Sequence, residues 1–163
     1  MAKAILRAIV PKKVWDAPGM QRELMKAVDD TIDVVLRDFQ ATTATWEHKV
    51  KFERARASMT GGEIIGAVTT DDEIYGYVTR GTRAHDIQPS GALVLAFPAS
   101  SSPKTMPRVL GSRSGNRSSH FIYAKAVHHP GTEPREFEET IVETRQKLHE
   151  NNVAEAVNRA LRG

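Results

Sequence analysis

The chain has 163 residues, 40% hydrophobic and 26% charged, with a formal net charge of +3. These values suit one compact domain, residues 1–163, with a modest core and no strong overall pull toward polyanions. The absence of cysteine excludes a disulfide framework, a thiolate nucleophile and a zinc-ribbon site.

In chain order, Ala4–Val10 (AILRAIV) reads as a first strand or an N-terminal arm. Broken by Arg7 and followed by Pro11, it is too short for a membrane span and lacks the form of a signal peptide. Asp16-Ala-Pro-Gly supplies a helix start, and Met20, Leu24, Val28, Ile32, Val35, Leu36 and Phe39 then mark one face of a helix. Trp46, His48, Val50 and Phe52 alternate with Thr45, Glu47, Lys49 and Lys51, which predicts a strand. Gly61-Gly62 makes a turn and Glu63–Thr69 returns as its partner. Asp71-Asp72 caps a short helix through Ile74–Val78 that ends at Gly81. Ala92–Phe97 and Phe121–His128 are two further strands. After Pro134 the chain turns helical, with Phe137, Ile141, Leu148, Val153, Val157 and Leu161 on its apolar side and a kink expected at Asn151-Asn152. Strands cluster mid-chain, so the expected class is α+β: an N-terminal helix, a central antiparallel sheet of about four or five strands with a long inserted loop, and a C-terminal helical segment.

The inserted loop, residues 98–120, is dense in Ser, Pro and Gly and without periodicity. Lys104, Arg108, Arg113 and Arg117 give it one sign of charge, and no acid occurs between Asp86 and Glu133. Loops this long are functional or disordered, so it reads either as a solvated hairpin tip or as a basic finger that meets nucleic acid, through its phosphates, or an acidic neighbour. Without aromatic side chains, base stacking is not its mode of contact.

Candidate chemistry centres on His128-His129, with His85-Asp86 and His120 elsewhere. Adjacent strand residues point to opposite faces, so one metal ion rarely takes both. Neither the helical zinc-protease spacing nor a nucleophile elbow is present, and no catalytic residue, metal or cofactor is assigned. The stretch Ala126–Phe137 (AVHHPGTEPREF) reads instead as a strand-to-helix corner. Pro130-Gly131 turns the chain, Thr132 caps a helix with Glu133, Pro134 and Glu136 in its first turn, and Phe137 anchors it to the sheet.

Two segments carry a resemblance. Tyr75-Gly-Tyr-Val-Thr-Arg-Gly-Thr-Arg-Ala-His-Asp-Ile-Gln-Pro89, followed by a strand, an insertion and Val127-His-His-Pro-Gly-Thr-Glu-Pro-Arg-Glu-Phe137, resembles the head–tail connector or tail-completion (neck) proteins of long-tailed bacteriophages. Thr79 stands where that family commonly has an acid, and Glu138 where an apolar residue is usual. The resemblance implies a non-enzymatic virion protein at the head–tail junction, assembled in the host cytoplasm into a homo-oligomeric, sixfold ring. Its partners would be portal, adaptor or stopper proteins on one side and tail terminator or tail tube proteins on the other. Genomic double-stranded DNA would pass through the lumen, and no membrane is involved. Tyr75, Gly81, Thr82, Arg83, His85, Ile87, His129, Pro130, Gly131, Thr132, Pro134 and Phe137 would shape the scaffold and its interfaces. Two other readings stay open: a small metal-dependent hydrolase or nuclease using His85, Asp86, His128 and His129, and a freestanding DNA-binding module using the basic loop.

Overall fold

The computed structural model describes residues 2–9 and 19–162. Among the described residues three helices and seven strands follow the order β1 (Ala2–Ile9), α1 (Met20–Thr43), β2 (Glu53–Thr60), β3 (Glu63–Thr70), α2 (Glu73–Arg80), β4 (His85–Ile87), β5 (Leu95–Pro98), β6 (Phe121–Ala124), β7 (Val127–His129) and α3 (Phe137–Arg162). The strands are antiparallel, as expected, but they do not form one sheet. A three-stranded sheet has the order β1-β3-β2, and β4-β7 and β5-β6 are separate pairs. Among the described residues no helix is long and apolar enough to cross a membrane.

α1 follows its apolar spacing and extends one turn beyond it, to Thr43. Met20, Leu24, Val28, Ile32, Val35 and Phe39 are buried against β3, whose Ile64 and Val68 complete the contact. Val10, Asp16, Ala17 and Pro18, part of the expected strand and helix start, lie outside the described residues. β2 is fastened to α1 by charge. Arg54 donates from Nε to Asp33 (2.5 Å) and from Nη2 to Asp29 (2.9 Å). The β2–β3 register shifts between Ala55 and Ser58, and there the Ala57 N–H turns to the Asp29 carboxylate (2.9 Å).

The second long helix packs beside the first. Arg145 grips Asp38 in a bidentate pair (2.6 and 2.9 Å), which holds the guanidinium above its ordinary pKa. Nearer the chain's end, Arg159 Nε meets Glu23 at 2.9 Å and depresses that carboxyl. No kink occurs at Asn151-Asn152: α3 runs unbroken, because Asn152 faces α1 and donates its amide to the Thr31 hydroxyl (3.0 Å).

The strand expected over Trp46–Phe52 is absent; that segment is irregular and β2 begins at Glu53. Trp46, Val50 and Phe52 do turn onto the core, so the alternation records which side chains face inward. Among the described residues no strand backbone pairs with it; β3 reaches it only through the Thr70 hydroxyl, which donates to the Lys51 carbonyl (2.8 Å). His48, between them, instead reaches Asp72.

Asp72 caps α2 as expected, its Oδ1 accepting the Tyr75 N–H at 2.8 Å while Oδ2 meets His48 Nε2 at 2.5 Å. Burial alone would raise this carboxyl, but the Tyr75 N–H and the His48 ring outweigh it and hold its pKa below the usual value. Asp72→Ala should therefore cost about 1 kcal/mol in urea denaturation. A carboxyl lower in the folded than in the unfolded chain stabilises fully above the unfolded pKa of about 4. That contribution is lost as the pH falls through the folded value. Asp72→Asn, which keeps an acceptor but no charge, should flatten the acid limb of the stability curve.

Candidate functional site

The two segments that carry the resemblance come together as one corner. Thr82 and Thr132 form a bridge in which each N–H donates to the other's carbonyl at 3.0 Å. The same register continues outward with His85 opposite His129, Asp86 opposite His128 and Ile87 opposite Val127. Gly81 (φ 73°) and Gly131 (φ 95°) flank the bridge, both in the left-handed region. No ordinary side chain fits either place, because a methyl at Gly131 would stand 2.3 Å from the Thr82 carbonyl oxygen and one at Gly81 2.5 Å from that of Thr132.

The corner corrects the expected start of the last helix. Thr132 does not cap it, since the helix begins five residues further on and Thr132 is instead bridged to Thr82. Glu133–Glu136 arch over the end of α2, where the Thr79 carbonyl receives the N–H groups of Arg135 and Glu136 at 3.0 Å each. Glu136 adopts φ 52°, and α3 begins at Phe137. The Thr79 hydroxyl then serves as its cap from another element, accepting the Phe137 N–H (3.2 Å) and donating to the Glu138 carboxylate. Thr79 and Glu138, the two departures from the phage-neck pattern, are thus bonded to each other.

From the corner a ribbon runs outward. Gln88–Val94 stands opposite only Lys125 and Ala126, and the mismatch divides the expected strand Phe121–His128 into β6 and β7. It also keeps Ala92–Val94 out of β5. Beyond β5–β6 the pairing goes on through Ala99 to His120, Ser118 to Ser100 and Ser102 to Asn116, each 2.9 Å. Residues 99–102 and 116–120 of the inserted loop are therefore paired as the arms of a hairpin. Its tip returns to the body: the Ser112 hydroxyl donates to the Ala41 carbonyl (2.9 Å) in the last turn of α1, which also accepts the Ala44 N–H (3.4 Å). Thr45 receives the tip through Arg113 O (2.9 Å), and Lys104 Nζ donates to Thr45 O (2.9 Å).

The basic side chains of the loop also have partners. Lys104 and Arg117 flank Glu47 at 3.8 and 3.5 Å, and Arg108 pairs with Glu136 at 2.9 Å. Arg113 Nε donates to the Pro103 carbonyl (3.3 Å).

The histidines divide by face. His128 Nδ1 meets Asp86 at 2.7 Å, both largely exposed. On the other face His129 stacks on His85, their ring centroids 5.2 Å apart. His129 Nδ1 accepts the Gly131 N–H (3.0 Å), which places its proton on Nε2, while His85 Nδ1 donates to the Arg83 carbonyl (2.8 Å). A cation at His129 would have to displace that proton or break the turn. Among the described residues no three His, Asp or Glu side chains gather as a metal site requires. His120 lies apart, its N–H accepted by the Ser118 hydroxyl.

What sequence reasoning missed is a cleft of about 470 Å³ between the returning tip and the body. Trp46, Val78 and Pro103 form apolar walls, and Lys104, Arg117 and Arg135 also line it. No family of known proteins, no curated protein and no solved structure matches the chain.

Proposed function

We propose that this protein is a structural subunit of a phage neck, building a closed ring at the head–tail junction through which the genome passes. The reading comes from the ordered pair of motifs, and it is supported by their union in one hydrogen-bonded corner built for shape. The observation that carries it furthest is the β5–β6 ribbon, a two-stranded sheet that is marginal alone. Phe121, Ile122 and Tyr123 are all exposed, at 47%, 43% and 70%. Successive strand residues point to opposite faces, so neither face of β6 is covered by its own chain. Leu93 projects beside the bend, 94% exposed. Apolar surface of this kind marks a protein contact, and identical copies joined head to tail by a rotation that closes make a ring. Portal, adaptor or stopper proteins and tail terminator or tail tube proteins are the neighbours that this role requires.

Sedimentation velocity over a concentration series, with negative-stain images, tests the reading. Wild-type chain should assemble alone or join purified heads or tails. Ile122→Asp combined with Tyr123→Asp should stay monomeric with an unchanged circular dichroism spectrum. A wild-type chain that remains monomeric throughout and joins neither particle defeats the proposal. The metal-hydrolase reading loses its motive, since His85 and His129 share one face while Asp86 and His128 share another.

A further inference from the structure

From the cleft between hairpin tip and corner we infer an oxyanion-binding site centred on Arg135, suited to a carboxylate. Arg135 is 9% exposed, and its Nε is buried with no hydrogen-bond partner. Its main chain is fixed on both sides: the N–H donates to Thr79 O (3.0 Å), and the carbonyl accepts from the Arg108 N–H (3.3 Å). The start of the side chain is thus fixed, and the one carboxylate within 4 Å of the guanidinium among the described residues is Glu133, at 3.9 Å and itself 74% exposed. A guanidinium carries a lasting positive charge, and one that is mostly buried with an unpartnered Nε is costly. A ligand with two coplanar oxygens offsets that cost by meeting the edge of the guanidinium that lines the cleft.

The surroundings fit the same chemistry. Thr105, 6% exposed, offers a hydroxyl, and Lys104 has ammonium protons beyond the one given to Thr45. At the rim Glu47 already sits between Lys104 and Arg117, so a carboxylate is accommodated there within the chain itself. A cavity of about 470 Å³ walled by Trp46, Val78 and Pro103 has room for a small organic acid or one acidic side chain. Duplex DNA does not suit it, because phosphates on a broad cylinder cannot reach a guanidinium this enclosed. The acid comes either from a free molecule or from a side chain of a second copy. The site itself does not depend on the ring reading.

The test follows the Arg135 Nε–H resonance of ¹⁵N-labelled full chain, assigned by its loss in Arg135→Lys. Acetate and inorganic phosphate are titrated at fixed ionic strength against chloride. The resonance should shift saturably with acetate or phosphate and not with chloride, and the thermal midpoint should rise in parallel. Lys104→Ala, at a partly exposed position, should weaken the apparent affinity about tenfold and serves if Arg135→Lys fails to fold. In the second arm the protein is concentrated without added anion. A shift that acetate reverses assigns the acid to a second copy, and a shift with small anions alone assigns it to a free ligand; either supports the site. A silent resonance, an equal response to chloride, or a response to duplex DNA alone overturns it.

Discussion

Alanine at position 131 should cost the fold on the order of 3–5 kcal/mol, read as a large fall in the urea midpoint with little change in slope. Part of the loss is backbone strain, because Gly131 sits at φ 95°. The rest is collision, since the new methyl would stand 2.3 Å from Thr82 O and 3.0 Å from the Arg83 carbonyl carbon. Relief requires parting the Thr82–Thr132 bridge, which releases two backbone hydrogen bonds. Gly81→Ala should act on the same bridge from its other side, so the double variant should lose less than the sum of the singles. Gly111→Ala separates strain from collision: its φ is 91°, but nothing lies within 4 Å of an added methyl. There the expected loss is about 1 kcal/mol. Equal effects at 111 and 131 would refute the packed-corner account.

Phe137→Ala should be nearly as damaging, at about 3–5 kcal/mol. Phe137 is fully buried and stacks on Tyr75 at 5.6 Å; Tyr75 meets Phe52 edge-on at 5.2 Å, and Phe39 closes on Phe52 at 5.4 Å. Through Tyr75 the Phe137 ring ties the start of α3 to α2, α1 and the segment before β2, and its removal leaves a void that this many rigid neighbours cannot refill. Tyr75→Phe is the control. The Tyr75 hydroxyl is buried without a hydrogen bond of ordinary geometry, and that burial drives the phenol well above its usual pKa. Removing the oxygen alone should leave stability at least as high. A loss of several kcal/mol in Tyr75→Phe would mean that the hydroxyl has a partner.

Legibility varied with how local each determinant is. α1 was readable because burial against one sheet stamps a helical period on Met20 through Phe39. The Asp72 cap was readable because the acceptor and its N–H lie three residues apart. Trp46–Phe52 misled because inward-facing alternation does not require a paired backbone. The 98–120 segment misled in the opposite sense: exposed on both faces, a ladder of serines carries no period-two signal. The start of α3 was set by Thr79, far back in the chain, so Thr132 and Pro134 could not disclose it. Arg135 was invisible for the same reason. In sequence it belongs to a polar first turn, and only the returning tip encloses it.

The pairing of α1 with α3 has a mechanical consequence. Asp38 and Glu23 lie roughly 22 Å apart along one axis, and each is pinned by an arginine of the other helix. Sliding one rod past the other by a single turn breaks both contacts together. The two rods thus keep a fixed phase, like shafts dowelled at both ends.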